Sequence, residues 1–378
     1  MMLDSVDGLM AKYDEAYWGK LDRESAYPDE FVRAMEKQGL AAVPVPKEYG
    51  GPGLGVLDAS LILEEINAMG GNSQPFHGQY YLLSAISKFA SAEMRERYLP
   101  KIAAGELRLQ SLALTEPEAG SESTRIKTSA EKKGGAYVVK GHKVFISRIE
   151  NSDLMVLVAR TTPYEKVEKK TEGISLFLVP LENIQGMESH RLEMMFNSQT
   201  YELFIDELKI PGESLIGEEG KGFRYLLSLL NAERILLSAE CIGDARWFVE
   251  KSVEYAKQRV VFGRPIGSNQ GIQFPIAEVY AKLLAADKVR TTAAELYDGG
   301  AEADAVGEYA NASKYLASEC SWQAANVAMD VYGGSGMAVA NHIERKFRET
   351  RLFRVAPISN NLVLSYLGER VLGLPRSF

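Results

Sequence analysis

The stretch AYVVKGHKVFI (136–146) divides the sequence into regions with different patterns. It is rich in β-branched and apolar residues interrupted by polar ones, which is typical of a strand. Three similar runs follow it, SDLMVLVART, ISLFLVPL and TYELFIDELKI, and clusters of Gly, Lys and Asp separate them. We therefore expect a middle domain of antiparallel strands, a small sandwich or barrel, over residues 111–218.

Helical patterns lie on both sides of this region. Before it, PDEFVRAMEKQGL, VLDASLILEEINAMG and SAEMRERYLPKIAAG are amphipathic runs that close at a glycine. After it, GFRYLLSLLNAERILLSAECIGDARWFVEKSVEYAKQR is long enough for one extended helix, and two further runs have the length of bundle helices. The predicted fold class is α+β multidomain: an N-terminal helical domain (1–110), the middle β-domain (111–218) and a C-terminal four-helix-bundle-like domain (219–378).

Composition and charge narrow the class of protein. The 43 basic and 51 acidic residues give a net charge of −8, which disfavours a nucleic-acid partner. No run has the roughly 18–20 apolar residues of a membrane span, and MMLDSVDGLMAKYDEAYWGK lacks the order of a signal peptide. Cys241 and Cys320 are the two cysteines, and the four histidines lack metal-site spacing. We expect a cytoplasmic enzyme without a metal or a membrane partner.

The segment LALTEPEAGSESTRIKT (112–128) carries the most specific motif. It is closely similar to the T-E-P-x-A-G-S-D sequence of acyl-CoA dehydrogenases. The motifs GGPGLG, GEEGKGF, RVVFGRPI and VYGGSGM also fall in the order of that family. The sequence thus resembles the acyl-CoA dehydrogenase family of FAD-dependent flavoenzymes over nearly its whole length.

The resemblance implies flavin contacts in the turn TEPEAGS and in the strand KVFIS. Small residues and hydroxyls in such a turn let backbone amides approach a flat ring. Phe145 and Ser147 are two residues apart, so they share a strand face. In the family, these positions stack near the isoalloxazine ring and hydrogen-bond its N5 edge, whereas Leu112 replaces a frequent aromatic residue. The implied contacts are Leu112, Leu114, Thr115, Gly120, Ser121, Phe145, Ile146 and Ser147.

A second set of implied FAD contacts lies in the C-terminal region. Arg259 suits a pyrophosphate and Phe262 offers a ring face to adenine. In the family these residues bind the FAD of a neighbouring subunit, which implies a homodimer or homotetramer. DVYGGSGM is a glycine cluster without G-x-G-x-x-G spacing, so a Rossmann site is rejected. The set is Arg259, Phe262, Gln270, Asp330 (where the family usually has Gln), Tyr332, Gly333, Gly334, Ser359 and Asn361.

The catalytic base is displaced from its commonest position. Many relatives carry it as a Glu in a Y-E-G-T segment near the C-terminus. Here RETRLFRVAPISNN (348–361) occupies that region, and Pro357 stands at the Glu position. Isovaleryl-type and some long-chain enzymes instead carry the Glu on the long helix, directly before an Arg. Glu233 and Arg234 fall at that place.

We therefore predict that Glu233 is the base, held on an apolar stripe formed by the residues at i±3 and i±4, which are Leu229, Leu230, Leu236 and Leu237. Asn231 and Arg234, with Ser121, are the implied substrate contacts, facing the coenzyme A arm. Glu240, further along the same helix, is expected to matter little. The alternative is that Glu233 is an ordinary helix carboxylate, because relatives with the C-terminal Glu also have Glu-Arg here.

The resemblance predicts FAD-dependent α,β-dehydrogenation of an acyl-CoA to the 2-enoyl-CoA, with electrons passed to an electron-transfer flavoprotein. Such a reaction serves fatty acid or amino acid catabolism. Two alternatives stay open because the usual base position holds a proline. One is a flavoprotein of this fold with desulfinase, oxidase or monooxygenase chemistry. The other is a relative that binds coenzyme A or flavin without turnover.

Overall fold

The computed structural model describes residues 2–376, which form eleven α-helices and ten strands. The helices are α1 (Met2–Met10), α2 (Glu15–Glu24), α3 (Asp29–Lys37), α4 (Val56–Ala68), α5 (Gln74–Phe89), α6 (Ala92–Ala103), α7 (Gly222–Gln258), α8 (Gln270–Asp298), α9 (Ala303–Tyr332), α10 (Ile343–Thr350) and α11 (Asn360–Tyr366), which continues as a π-helical turn (Leu367–Val371).

The strands fall into one large sheet and one short hairpin. They are β1 (Leu109–Ala113), β2 (Ser129–Lys133), β3 (Ala136–Ser147), β4 (Leu154–Arg160), β5 (Ile174–Pro180), β6 (Met187–Arg191), β7 (Thr200–Pro211) and β8 (Leu215–Ile216) in the sheet, with β9 (Val260–Val261) and β10 (Arg264–Pro265) in the hairpin.

The described chain forms two compact units. The first is helical and comprises residues 2–24, 55–73 and 231–376. The second contains the large sheet and comprises residues 25–54 and 74–230. Helix α7 contributes its first residues to the second unit and the remainder to the first.

The first unit is a bundle of long helices around an apolar core. Trp247 and Phe248 of α7 pack with Val279 and Leu283 of α8 and with Ile343 of α10. Helix α9 presents mainly alanines to this core. Such small side chains let helix backbones approach closely, so these three long helices pack along their length.

The first unit also buries charged side chains in pairs. Arg290 of α8 donates to Glu64 of α4 (2.7 Å), and Glu64 accepts from Arg246 of α7 (2.7 Å). Separately, Lys346 of α10 pairs with Asp244 of α7 (2.5 Å). Buried charges are tolerated when they are paired and hydrogen-bonded. These pairs therefore account for two of the charged residues of α7, Arg246 and Asp244.

The sheet of the second unit has the strand order β6-β7-β3-β2-β4-β5-β8, and β1 pairs with β4. Every residue of β4 is buried, as expected for a central strand covered on both faces. The core beneath the sheet includes Tyr137, Leu157, Phe177, Tyr201 and Leu203. Most pairs are antiparallel, but β1 runs parallel to β4 with Leu112 opposite Val156. The strands predicted from sequence pair antiparallel as β3 with β7 and β4 with β5, whereas the parallel contacts of β4 are with β1 and β2, which lie outside those four runs.

The predicted fold class is confirmed: helices, then a β-sheet, then helices. The four strand segments predicted from sequence correspond to β3, β4, β5 and β7, and the long helix predicted from residue 222 is α7. The sheet also contains β1, β2, β6 and β8. The domain boundaries at residues 110 and 218 stay predictions. Among residues 2–376, no helix is long and apolar enough to cross a membrane.

Candidate functional site

The motif TEPEAGS forms a closed turn directly after β1. Ala119 donates its backbone N–H to the carbonyl of Glu116 (3.0 Å), which shapes the turn. The carbonyl of Thr115 accepts from the backbone N–H of Val144 (2.9 Å), so the turn is fastened to β3. Gly120 and Ser121 lie exposed beyond it. The structure thus brings together two motifs that lie about 30 residues apart in the sequence and that both carry implied flavin contacts.

The end of β3 presents an aromatic ring to solvent. The register with β7 shifts between Lys143 and Ile146, and Phe145 inside this bulge has φ +58°, a left-handed conformation that costs energy for a bulky residue. Phe145 is 59% exposed, whereas Ile146 is buried and Ser147 is half-buried. Phe145 and Ser147 are therefore both accessible, and the prediction that they contact a flavin stays a prediction.

These residues fit a flat aromatic cofactor such as the flavin of FAD. Phe145 offers an exposed ring, and a methyl group added at Gly120 would meet no atom within 4 Å, so space is open beside the turn. Leu112, in β1, and Leu114, directly after it, are half-buried. Strained, exposed aromatic residues are frequent where a ligand is bound.

The hairpin β9–β10 carries the second set of implied contacts. Phe262 (φ +51°) and Gly263 (φ +77°) form its two-residue tip, and left-handed conformations at both positions are typical of a type I′ turn. Phe262 is fully exposed. Arg259 and Gln270, which flank the hairpin, are also exposed. An arginine and an aromatic ring are thus exposed at the hairpin, and an exposed amide follows at the start of α8.

The glycine cluster follows the end of α9. The ring of Tyr332 stacks on that of Tyr255 with centroids 4.1 Å apart, and burial raises the pKa of Tyr332 to about 12. Gly333 has φ +55°, and methyl groups at Gly333 or Gly334 would meet no atom within 4 Å. Asp330 is exposed. The backbone here is open to close approach by a ligand.

The C-terminal segment 348–361 contains one carboxylate, Glu349. It is buried and pairs with Arg345 (2.9 Å) and Lys346 (3.3 Å) of its own helix, so its charge is compensated. Pro357, at the position of the usual base, is exposed. This segment therefore offers no carboxylate with the freedom to act as the base.

The two implied cofactor residues of this segment lie at the start of α11. The hydroxyl of Ser359 caps the helix by accepting from the backbone N–H of Leu362 (3.4 Å), and Asn361 is exposed. The sequence analysis did not single out the residue between them, Asn360. It is buried, accepts from the ammonium of Lys314 (2.5 Å) and donates to Glu319 (2.7 Å). The capping pattern S-x-N gives no signal for that network.

Helix α7 buries three carboxylates. Glu240 accepts from the hydroxyl of Ser73 (2.9 Å). Asp244 accepts from Lys346 and Asn67, and burial raises its pKa to about 6 against the opposing effect of Lys346. The third is Glu233, 6% exposed. It lies in the apolar stripe predicted from the sequence, in which Leu229, Leu236 and Leu237 are buried.

The structure also brings Asn231 and Arg234 together. Arg234 donates to the side-chain oxygen of Asn231 (2.9 Å). Burial lowers the pKa of Arg234, and the charge of Glu233 opposes that effect. Gly307 of α9 lies nearby, where a methyl group would come within 2.7 Å of the hydroxyl of Tyr366. Gly307 and Tyr366 were not predicted, because their proximity to α7 depends on helix packing.

Comparison with known proteins identifies the family. The models of the N-terminal, middle and C-terminal domains of acyl-CoA dehydrogenases match residues 1–106, 111–208 and 220–372. The chain belongs to the acyl-CoA dehydrogenase family. Acyl-CoA dehydrogenase fadE12 of Mycobacterium bovis is 34% identical over 384 residues, covering 99% of this chain and 96% of that protein.

Solved structures share the fold of this chain. Glutaryl-coenzyme A dehydrogenase in its glutaryl-CoA complex is 28% identical with a TM-score of 0.92, covering 100% of this chain and 95% of that chain. A chain in the structure described as "Electron transferring flavoprotein of Acidaminococcus fermentans" is also 28% identical with a TM-score of 0.92, covering 98% and 97%. The predicted resemblance is confirmed: this acyl-CoA dehydrogenase homologue is an oxidoreductase, and its cofactor is FAD.

Proposed function

We propose that the protein dehydrogenates an acyl-CoA thioester between Cα and Cβ, with Glu233 as the base, and that its electrons pass to an electron-transfer flavoprotein. Two observations together carry this proposal. Glu233 is buried on α7, and the single carboxylate of the segment 348–361, Glu349, forms ion pairs with two cations. Family membership supports the reaction class.

In the proposed reaction, Glu233 accepts the α-proton, the Cβ–H bond breaks with loss of hydride, and a C=C bond forms. FAD, when bound, supplies the two-electron acceptor for that hydride. A carboxylate suits the first task because a positioned carboxylate can act as a general base and accept the proton. Arg234 and Asn231 lie on the same helix, and we assign their polar groups, with Ser121, to the coenzyme A thioester.

We assign FAD binding within the sheet-containing unit to the turn around Thr115, Gly120 and Ser121, with Phe145 and Ser147. Their roles are to bind and orient the cofactor through backbone groups, an exposed ring and a hydroxyl. In the helical unit, Arg259, Phe262 and Gln270 are assigned to the FAD of a neighbouring copy of the chain. Support comes from the full exposure of Phe262 at the hairpin tip. This assignment requires a homodimer or a dimer of dimers.

A second candidate function keeps the cofactor but changes the chemistry to that of an oxidase, desulfinase or monooxygenase. The observation that favours it is Pro357 in place of the usual base. For the dehydrogenase we also propose a cytoplasmic location and a role in fatty acid or amino acid catabolism.

An anaerobic assay tests for α,β-dehydrogenation, and reoxidation of the reduced flavin by an electron-transfer flavoprotein or by dioxygen then separates a dehydrogenase from an oxidase. The purified yellow protein is mixed with a panel of straight-chain, branched and cyclic acyl-CoAs, and the visible absorbance of the oxidised flavin is followed. We expect at least one acyl-CoA to bleach the flavin and to yield the enoyl-CoA. Tight binding of acyl-CoA without bleaching by any member would contradict dehydrogenation.

A further inference from the structure

Strand β3 buries a lysine beneath the turn that follows β1. Lys143 is fully buried, and its ammonium donates to the carboxylate of Glu116 (2.9 Å) and to the backbone carbonyl of Leu114 (2.8 Å). Removing an ammonium from water is costly, and an apolar residue of similar size would avoid that cost. We therefore look for a role of the Lys143 ammonium in positioning neighbouring segments.

Glu116 collects donors from a third segment as well. Its carboxylate accepts from the backbone N–H groups of Lys127 (2.6 Å) and Thr128 (2.9 Å), in addition to the ammonium of Lys143. Charge-assisted hydrogen bonds of this kind are stronger and more directional than neutral ones. One carboxylate and one ammonium thus tie together the turn, the start of β2 and the end of β3.

The segments joined by this pair are those that carry the implied flavin contacts. The ammonium of Lys143 donates to the carbonyl of Leu114. The next residue along β3, Val144, donates its backbone N–H to the carbonyl of the next residue of the turn, Thr115 (2.9 Å). Phe145, with its exposed ring, follows directly. The position of the turn relative to this ring is therefore set by contacts of Glu116 and Lys143.

We propose that Glu116 and Lys143 form a positioning pair that fixes the TEPEAGS turn against the strand end bearing Phe145, and that the pair thereby sets the affinity for FAD. This inference rests on the proposed assignment of FAD to these residues. Both side chains lie inside the protein, so they act through Leu114, Thr115 and Phe145. The pairing of β3 with β2 and β7 does not depend on them, because it is made by backbone groups along the whole strand.

The test compares Lys143→Met with Lys140→Met. Lys143→Met keeps the length of the side chain and removes both ammonium contacts. Lys140 is an exposed lysine on the same strand, paired with Asp206 and Glu207 at the surface, and is the matched control. The full-length chain is freed of FAD, and the dissociation constant for added FAD, the visible spectrum of the bound flavin and the Tm of the apoprotein are measured.

We expect Lys143→Met to raise the Kd for FAD by roughly tenfold or more, the scale of one charge-assisted hydrogen bond, and to alter the flavin spectrum. Lys140→Met should stay within about twofold of the wild type. A folded Lys143→Met variant with wild-type Kd and spectrum would overturn the proposal, and so would a lowered Tm with an unchanged Kd, which indicates a structural role only.

If Lys143→Met does not fold, the variant Glu116→Gln tests the same proposal. The amide keeps the shape of the side chain but loses its charge, so we expect a weakened FAD Kd. An unchanged Kd in this variant would overturn the proposal. A wild-type protein that binds no FAD would overturn the site assignment as well. If the wild type binds FAD and both variants bind it equally well, the positioning role alone fails.

Discussion

The guanidinium of Arg234 donates to the side-chain oxygen of Asn231, one helical turn earlier on α7, over 2.9 Å. Both side chains are buried, and within residues 2–376 the Nε of Arg234 has no hydrogen-bond partner. A buried guanidinium gains stability from a polar ligand. We therefore expect Arg234→Met to raise KM for acyl-CoA at least about tenfold, with a smaller change in kcat.

Steady-state kinetics of the Arg234→Met variant check this prediction. The control is Arg224→Met, which changes an exposed arginine of the same helix. An unchanged KM would remove Arg234 from the substrate site.

A remote aspartate caps α4. The carboxylate of Asp298, at the end of α8, accepts from the backbone N–H groups of Val56 (2.8 Å) and Leu57 (2.9 Å). Helix caps of this kind are worth about 1 kcal/mol, so Asp298→Ala should lower the free energy of unfolding by about that amount. A methyl group at Gly55 would lie 2.2 Å from the same carboxylate, so Gly55→Ala should displace it.

Chemical denaturation of the two single variants and the double variant tests the capping role. Because both changes disrupt one interaction, the double variant should lose less stability than the sum of the single losses. Strictly additive losses would show that Gly55 and Asp298 act independently.

The Glu116–Lys143 pair also predicts a pH dependence of stability. Burial raises the pKa of Glu116, but the charge of Lys143 and the hydrogen bonds from Lys127 and Thr128 outweigh it and hold the pKa below the usual 4.5. A carboxylate with a lowered folded-state pKa stabilises the protein above its unfolded pKa, and this contribution is lost as pH falls through the folded value.

Glu116→Gln should therefore make the loss of stability below about pH 4.5 shallower, by at most about 1.4 kcal/mol per pH unit. Denaturation at a series of acidic pH values measures that slope. Glu131→Gln, at an exposed carboxylate of β2, should leave the slope unchanged. A Glu116→Gln slope identical to that of the wild type would show that Glu116 titrates normally.

The exposed hairpin predicts that cofactor binding depends on assembly. Arg259→Glu should lose FAD, because it places a carboxylate against the pyrophosphate assigned to this residue. Lys257→Glu, also exposed and two residues away, should retain FAD. Light scattering and flavin absorbance together check mass and occupancy. A wild-type protein that is strictly monomeric with full FAD occupancy would contradict the intersubunit assignment.

The parts of the fold that were predictable have strong local periodicity. The apolar runs of β4 and β5 and the long helical runs of α7 and α8 are readable from sequence alone. β2 (SAEKK) and β6 (MESHR) were missed because charged residues occupy them, and their strand conformation comes from pairing with β3 and β7. β1 is the short strand that enters the TEPEAGS turn, but its parallel pairing with β4, about 45 residues further along the chain, was not predictable from local sequence.

The candidate site shows the same division between local and long-range information. The resemblance named Phe145 and Ser147, but the bulge that exposes Phe145 depends on the register with β7. Glu240 was expected to matter little, yet it is buried and holds Ser73, which lies 167 residues away in the sequence. Only the folded chain reveals that Glu240→Gln would disturb packing and that the exposed Glu250 is the better control.

The rate of anaerobic flavin reduction by a reactive acyl-CoA, compared between the wild type, Glu233→Gln and Glu250→Gln, tests the central claim most directly. Glutamine keeps the shape of the side chain but cannot accept the α-proton, and loss of a positioned base costs about 10²–10⁴ in rate. We predict that Glu233→Gln binds FAD and acyl-CoA normally and reduces flavin at least about 100-fold more slowly, while Glu250→Gln matches the wild type. Flavin reduction by Glu233→Gln at a near wild-type rate would contradict the assignment of Glu233 as the base.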